Sequence, residues 1–276
     1  MSIEPTQVQQ LLALAHKDLA CYSVAMWPDF LRARHHEAII SRLETVERGE
    51  TKRLMIFLPP RHGKSLLAST LFPAWYLGRH PDRHLIFVTY GQDLSDGFGR
   101  KVRNFVADEL HRAIFPRCVL SEDSAAASRF SLSQGGAYFA VGRGGPLTGR
   151  GADVLIIDDP LKDFQEASSE TTRQGLYEWF TSTAYTRLAP GGAVILIQTR
   201  WHESDLAGRL LAESTGEQWE VLSLPAVAEC DEPFRKEGAA LWPEKFDLAE
   251  LEEIRAMVGG RVWASLYQQR PAAAEG

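Results

Sequence analysis

The run LMIFLPPRHGKSLLASTLFPAW, residues 54–75, decides the fold. Its first five residues, Leu54 to Leu58, are apolar throughout and predict a buried strand. Pro59, Pro60, Arg61, His62, Gly63, Lys64 and Ser65 then read as a tight loop, and Leu66, Leu67, Leu71 and Trp75 recur at helical spacing. A strand, a tight loop and a helix N-terminus aim several backbone N–H groups and the positive end of a helix dipole at one point, which suits a polyphosphate. The tripeptide GKS is common by chance, so the strand before it and the helix after it carry the reading. Leu58 stands where the first glycine of the usual phosphate loop is expected, and two prolines follow it, which leaves the signature incomplete.

This pattern assigns an ATP site with Mg²⁺. Lys64 is expected at the outer phosphates and the Ser65 hydroxyl on the metal, with Pro60, His62, Gly63 and Leu66 completing the nucleotide loop. Arg61 adds an always-ionised fork able to touch phosphate oxygens.

Further continuous apolar runs lie at Leu85–Thr89, Val154–Ile157, Val194–Ile197 and Val221–Leu224, mostly separated by helix-compatible stretches. Continuous rather than alternating hydrophobicity predicts strands covered on both faces, so the expected class is α/β, a mostly parallel sheet with helices on either side. Arg129 to Val141 alternates more evenly around Gly135 and Gly136, as a β-hairpin added to that sheet would. Ile39, Ile40, Leu43 and Val46 mark a helix face in the first fifty residues, and helical pattern runs again from Leu248 through Tyr267.

The run Val154–Ile157 ends in Asp158 and Asp159, at the edge where parallel sheets bind ligands. Asp158 is expected to hold Mg²⁺, and Asp159 lies where related ATPases place the glutamate that orients the attacking water. Val194–Ile197 ends in Gln198, Thr199 and Arg200 at the same edge. In ATPases of the additional-strand (RecA-like) type, such a strand lies between the phosphate-loop strand and the metal-Asp strand, which makes Gln198 and Thr199, with Arg200, the sensors of the outer phosphate. His202, Glu203 and Asp205 match no metal-ligand spacing and read as a polar helix start. Phosphoryl transfer needs a further positive charge, and Arg143 and Arg150, in the Gly-rich stretch from Gly142 to Gly151, are the candidates, acting in the same chain or on a neighbour.

The net charge of −6 over 276 residues excludes a protein that coats itself with nucleic acid, so any DNA contact is local. The basic clusters Arg32, Arg34, His35, His36 and Arg100, Lys101, Arg103 read as solvated helix faces. Cys21, Cys118 and Cys230 form no paired spacing and read as reduced core residues. No apolar run approaches a membrane span and the N-terminus lacks the pattern of a signal peptide, which points to the cytoplasm.

With PPRHGKS, LIIDDPLKD and QTRWHESDLAGRL in order, the chain resembles the ATPase domain of phage large terminases, the motors that pump DNA into procapsids. The resemblance takes in His35 to Glu50, the TGRGAD run from Thr148 to Asp153, and Leu241 to Pro271 with LWPEKF and LYQQRP. It implies ATP and Mg²⁺ as cofactors, adenine contacts near His35 and His36, and an arginine acting in trans, with Arg150 in the best matching loop and Arg143 second. It implies double-stranded DNA, a portal protein and a small terminase subunit as partners, with self-association into a ring in the cytoplasm of an infected bacterium. The expected organisation is a helical segment over 1–50, a P-loop ATPase core over 51–230, a helical lid over 231–270, and the start of a linker at 271–276. Large terminases usually continue into an RNase H-like nuclease, so no DNA cleavage is expected of these residues. A small-molecule kinase and a nucleotide-gated scaffold are the alternative readings.

Overall fold

The computed structural model describes residues 5–126, 128–147, 149–213 and 218–271. Thr148 of the TGRGAD run and residues 272–276 of the expected linker lie outside the described residues.

Strands rich in Leu, Ile, Val and Phe pair into one sheet: β1 (Arg53–Phe57), β2 (His84–Thr89), β3 (Leu120–Ala125), β4 (Arg129–Leu132), β5 (Ala137–Gly142), β6 (Ala152–Asp158), β7 (Leu188–Gln198) and β8 (Glu220–Ser223). Their order is β3-β4-β5-β2-β6-β7-β1-β8. From β5 to β8 every neighbouring pair is parallel, while β3 and β4 are joined antiparallel at the β5 edge. The order puts β7 between β1 and β6, the arrangement of the additional-strand P-loop fold.

Alternate residues of these strands enter separate cores on the two sheet faces, as a period of two requires. Leu54, Ile56, Phe87, Ile156 and Ile195 pack on one side, and Met55, Phe57, Val88, Leu155 and Leu196 on the other. Fully burying one such side chain contributes about 1.5–3 kcal/mol, which is why the buried stretch of β6 carries no charge between Val154 and Ile157, before Asp158 at its end. Register then fixes the functional edge. Phe57 stands opposite Gln198, and Asp158 opposite Ile197, so three central strands end level with one another.

Helices Pro5–Lys17, Leu19–Met26 and Arg34–Glu47 precede the sheet, and Ile39, Ile40, Leu43 and Val46 of the third are buried against it. A third apolar cluster, with Ala226, Ala240, Leu251 and Trp263, gathers the C-terminal part.

Four features depart from the sequence reading. Strand β3 has no apolar run, because an edge strand needs no two-sided cover. Strand β7 begins six residues before Val194, through Pro190 and a left-handed Gly191 (φ 82°) at a register shift. The helical pattern expected from Leu248 through Tyr267 is present, kinked at Gly259 (φ 80°, ψ 163°). Cys118 is buried but Cys230 is exposed, and His35 and His36 are buried rather than on a solvated face.

Candidate active site

The loop between β1 and the helix beginning at Lys64 is held by its backbone. Arg61 and Gly63 adopt left-handed conformations, φ 63° and 87°. A side chain at Gly63 would be strained by that angle, and its Cβ would lie 2.5 Å from His36 Nε2. Beneath the loop, His35 and His36 donate through Nε2–H to the His62 carbonyl, at 3.0 and 3.3 Å. His62 in turn donates through Nδ1–H to the Pro60 carbonyl at 2.9 Å. Burial pushes His35 down to about 3 and His62 to about 4, and lowers His36 as well, so all three are neutral imidazoles serving as hydrogen-bond donors.

That buried neutrality has a measurable consequence. His35 and His62 take up a proton near pH 6.5 in the unfolded chain but only well below that when folded, and His36 shifts the same way, so stability is full above about pH 6.5 and falls as pH drops toward 4. We expect a loss of stability as pH falls below about 6.5, up to about 1.4 kcal/mol per pH unit for a single fully shifted ring, read as a falling thermal midpoint between pH 7 and pH 5. A flat profile would contradict the neutral state of the three rings.

Lys64 is buried and points across the sheet edge. Its Nζ donates to Thr199 Oγ1 at 2.6 Å and lies 3.4 Å from Asp159 Oδ2. Asp159 occupies the left-handed region (φ 43°), its N–H donating to the Ile197 carbonyl at 2.9 Å while its Oδ1 accepts the Thr199 N–H at 2.7 Å. The phosphate-loop lysine, the second acid of the β6 end and the tip of β7 are thus one hydrogen-bonded unit.

Asp158 beside it is buried, with Oδ2 accepting from Ser69 Oγ at 2.7 Å and Oδ1 without a partner. Burial, then the neighbouring Asp159 charge, raise its carboxyl above the usual carboxylate range, against the pull of Lys64, Ser69 and Ser65. A buried carboxylate oxygen left unpaired is costly unless a cation or donor completes it. With the Ser65 hydroxyl nearby, the oxygen donors and their charge fit Mg²⁺. Among the described residues no group of three or more His, Cys, Asp or Glu side chains is placed to hold a metal ion.

Gln198 and Thr199 are buried at the same edge. Arg200 instead turns away, its guanidinium 2.8 Å from Asp205 Oδ2 and over the Phe57 ring at 4.9 Å. Asp205 also caps the helix Leu206–Ala212, accepting the Gly208 N–H at 2.9 Å, so the β7 tip is braced against that helix start.

The two candidate arginines fall on different sides. Arg143 follows β5 at the ligand edge, where it donates to the Pro160 carbonyl and pairs with Glu166, both at 3.2 Å. Arg150 precedes β6, its guanidinium 3.9 Å over the Phe139 ring. Phe139 registers with Ile86 and through it with Leu155, about 10 Å short of Asp158 along the strands and two strands aside. Arg150 is therefore remote from the Lys64 centre of its own chain.

A cavity of about 720 Å³ opens beside the loop, lined by His36, Arg61, Lys64, Ser65 and Leu66 together with Trp27, Phe30 and Trp242. His36 stands in its wall, whereas His35 does not line it. The aromatic members escaped the sequence reading, and so did the way LWPEKF grips the loop. Trp242 packs on His35 and His36, Phe246 stacks on His62 at 4.8 Å, and Lys245 Nζ donates to the Arg61 carbonyl at 3.3 Å. The signal was its aromatic and basic composition, but only the fold connects residues so far apart in sequence.

Comparison with known proteins gives the lineage. A structure of the HK97 bacteriophage large terminase superposes with TM-score 0.55 and 14% identity, covering 88% of this chain and 51% of that one, so the chain spans about half the HK97 protein's length. A mutant ATPase domain of the Thermus phage P74-26 large terminase gives TM-score 0.58 and 16% identity, with 90% and 97% covered. Another structure of that ATPase domain gives 0.51 and 15%, with 83% and 92% covered. No curated protein matches the sequence. Residues 55–267 match the family described as terminase large subunit, T4likevirus-type, N-terminal. That span holds the phosphate loop, both acids at the β6 end and the β7 tip, and the chain belongs to this family of terminase large subunit N-terminal domains.

Proposed function

We propose that this chain binds ATP with Mg²⁺ and hydrolyses it to drive double-stranded DNA into a viral procapsid. The observation that carries the reading is Lys64, with Thr199 at 2.6 Å and Asp159 at 3.4 Å, beside the unpaired oxygen of Asp158. Lysine, metal carboxylate and phosphate-sensing strand meet at one point, as a site that reads the loss of an outer phosphate requires. In this reading Lys64 neutralises charge on the transferred group and Asp159 orients the attacking water. Asp158 and Ser65 hold Mg²⁺, which supplies charge neutralisation at the phosphates. Thr199 exchanges its bond to Lys64 when phosphate arrives and departs.

The cavity lined by Trp27, Phe30 and Trp242 suits a purine base. Residues 231–270 act as a lid whose Lys245 and Phe246 follow the loop, behind the helices of 1–50 and the core of 51–230. Work on DNA proceeds as a ring on a portal protein, with a small terminase subunit, in the host cytoplasm. Among the described residues no helix is long and apolar enough to cross a membrane.

Phosphate release separates this from the kinase and scaffold readings. The protein is expected to liberate free inorganic phosphate from ATP with no phosphorylated acceptor, and Lys64→Ala to lower that rate at least about 10²-fold, given the weight of preorganised charge in phosphoryl transfer. Phosphate appearing only on an added acceptor would overturn the motor reading, as would nucleotide binding without turnover by assembled protein.

A further inference from the structure

The helix that follows the phosphate loop is not a regular α-helix. After Lys64–Leu66 it widens into one π-helical turn, Leu67–Leu71, before resuming as Phe72–Arg79. Every residue of that turn is buried, so exposure to solvent does not account for the widening. Single π-turns cost hydrogen-bond geometry and recur where a side chain must be re-aimed. Here the side chain is Ser69. It is fully buried, and its Oγ donates to Asp158 Oδ2 at 2.7 Å. The other Asp158 oxygen has no partner.

We propose that Ser69 is a positioning residue for the metal site: its hydroxyl, set by the π-turn, fixes the Asp158 carboxylate through one oxygen and leaves the other for Mg²⁺. The inference rests on the ATPase reading above and extends it to a residue outside the phosphate-loop signature. A carboxylate at a strand end rotates about its last torsion with little resistance. Ser69 removes that freedom before metal arrives.

The test is retention of a fluorescent ATP analogue by the full chain as free Mg²⁺ is titrated, with a parallel measurement in EDTA. Ser69→Ala is expected to raise the half-saturating Mg²⁺ about 10- to 100-fold, the usual cost of losing a hydrogen-bond partner of a metal ligand, while metal-free nucleotide affinity stays near wild type and the chain remains folded. Ser69→Cys keeps the volume but not the strong donor, and is expected to show the same shift if the alanine variant folds poorly. On an Asp158→Asn background, Ser69→Ala is expected to add less than about twofold, since the group it positions is already neutral. A shift below about twofold in the otherwise native chain would overturn the assignment, as would an equal loss in EDTA or additive effects in the double variant. Wild-type protein whose nucleotide binding ignores Mg²⁺ would instead overturn the ATPase reading itself, and this inference with it.

Discussion

Asp159→Asn is expected to retain nucleotide affinity and to lose turnover by about 10²- to 10⁴-fold, the range for removing a positioned base. The substitution is structurally mild. Asparagine tolerates the left-handed backbone of residue 159 as aspartate does, and its carbonyl still accepts the Thr199 N–H now bonded at 2.7 Å. What disappears is the negative charge 3.4 Å from Lys64. Binding of a fluorescent ATP analogue alongside single-turnover phosphate release distinguishes the two effects. Unchanged hydrolysis would remove Asp159 from the chemistry and leave it as a brace for the β7 tip.

The same backbone angle accounts for a departure from the related ATPases. They place glutamate where this chain has aspartate, and the sequence alone presents the shorter acid as a carboxylate that must reach further. At φ 43° the residue sits where aspartate and asparagine are favoured and longer side chains are not. From that turn the shorter carboxylate stands 3.4 Å from Lys64 Nζ.

The legible parts of the molecule are those where one physical demand has one sequence solution. A strand buried on both faces must be apolar throughout, so β1, β2, β6 and β7 show in the sequence, and with them the edge bearing Lys64, Asp158 and Thr199. Other demands have several solutions. Histidine serves on a solvated face or, neutral, inside a core, and nothing in RHHEAII tells which; the His62 carbonyl that His35 and His36 share decides it. The π-turn at Leu67–Leu71 is equally silent, because LLASTL has the spacing of an ordinary helix and the extra residue becomes visible only in the backbone. Trp242, Lys245 and Phe246 reach the phosphate loop through tertiary packing across more than half the chain, which no local pattern encodes.

Arg150→Ala is expected to lower hydrolysis by assembled protein about 10³-fold or more, within the range for an arginine that completes a phosphoryl-transfer site, while leaving nucleotide binding intact. For Arg150 that role would have to be intermolecular. Arg150 lies on Phe139 of β5, two strands aside from the acids of its own chain. Arg143, at the ligand edge, is already held by Glu166 and the Pro160 carbonyl, so Arg143→Ala is expected to act by loosening the turn after Asp159 and to cost less. An intermolecular arginine makes hydrolysis rise steeply with protein concentration. It also allows complementation, because Lys64→Ala chains still offer Arg150 to the intact phosphate loop of Arg150→Ala chains. Mixing the two inactive variants is therefore expected to restore activity that neither has alone, in proportion to the mixed interfaces formed. Failure of that mixture at concentrations where wild type is fully active would return the missing charge to the same chain, where Arg143 and Arg61 stand nearest to the site.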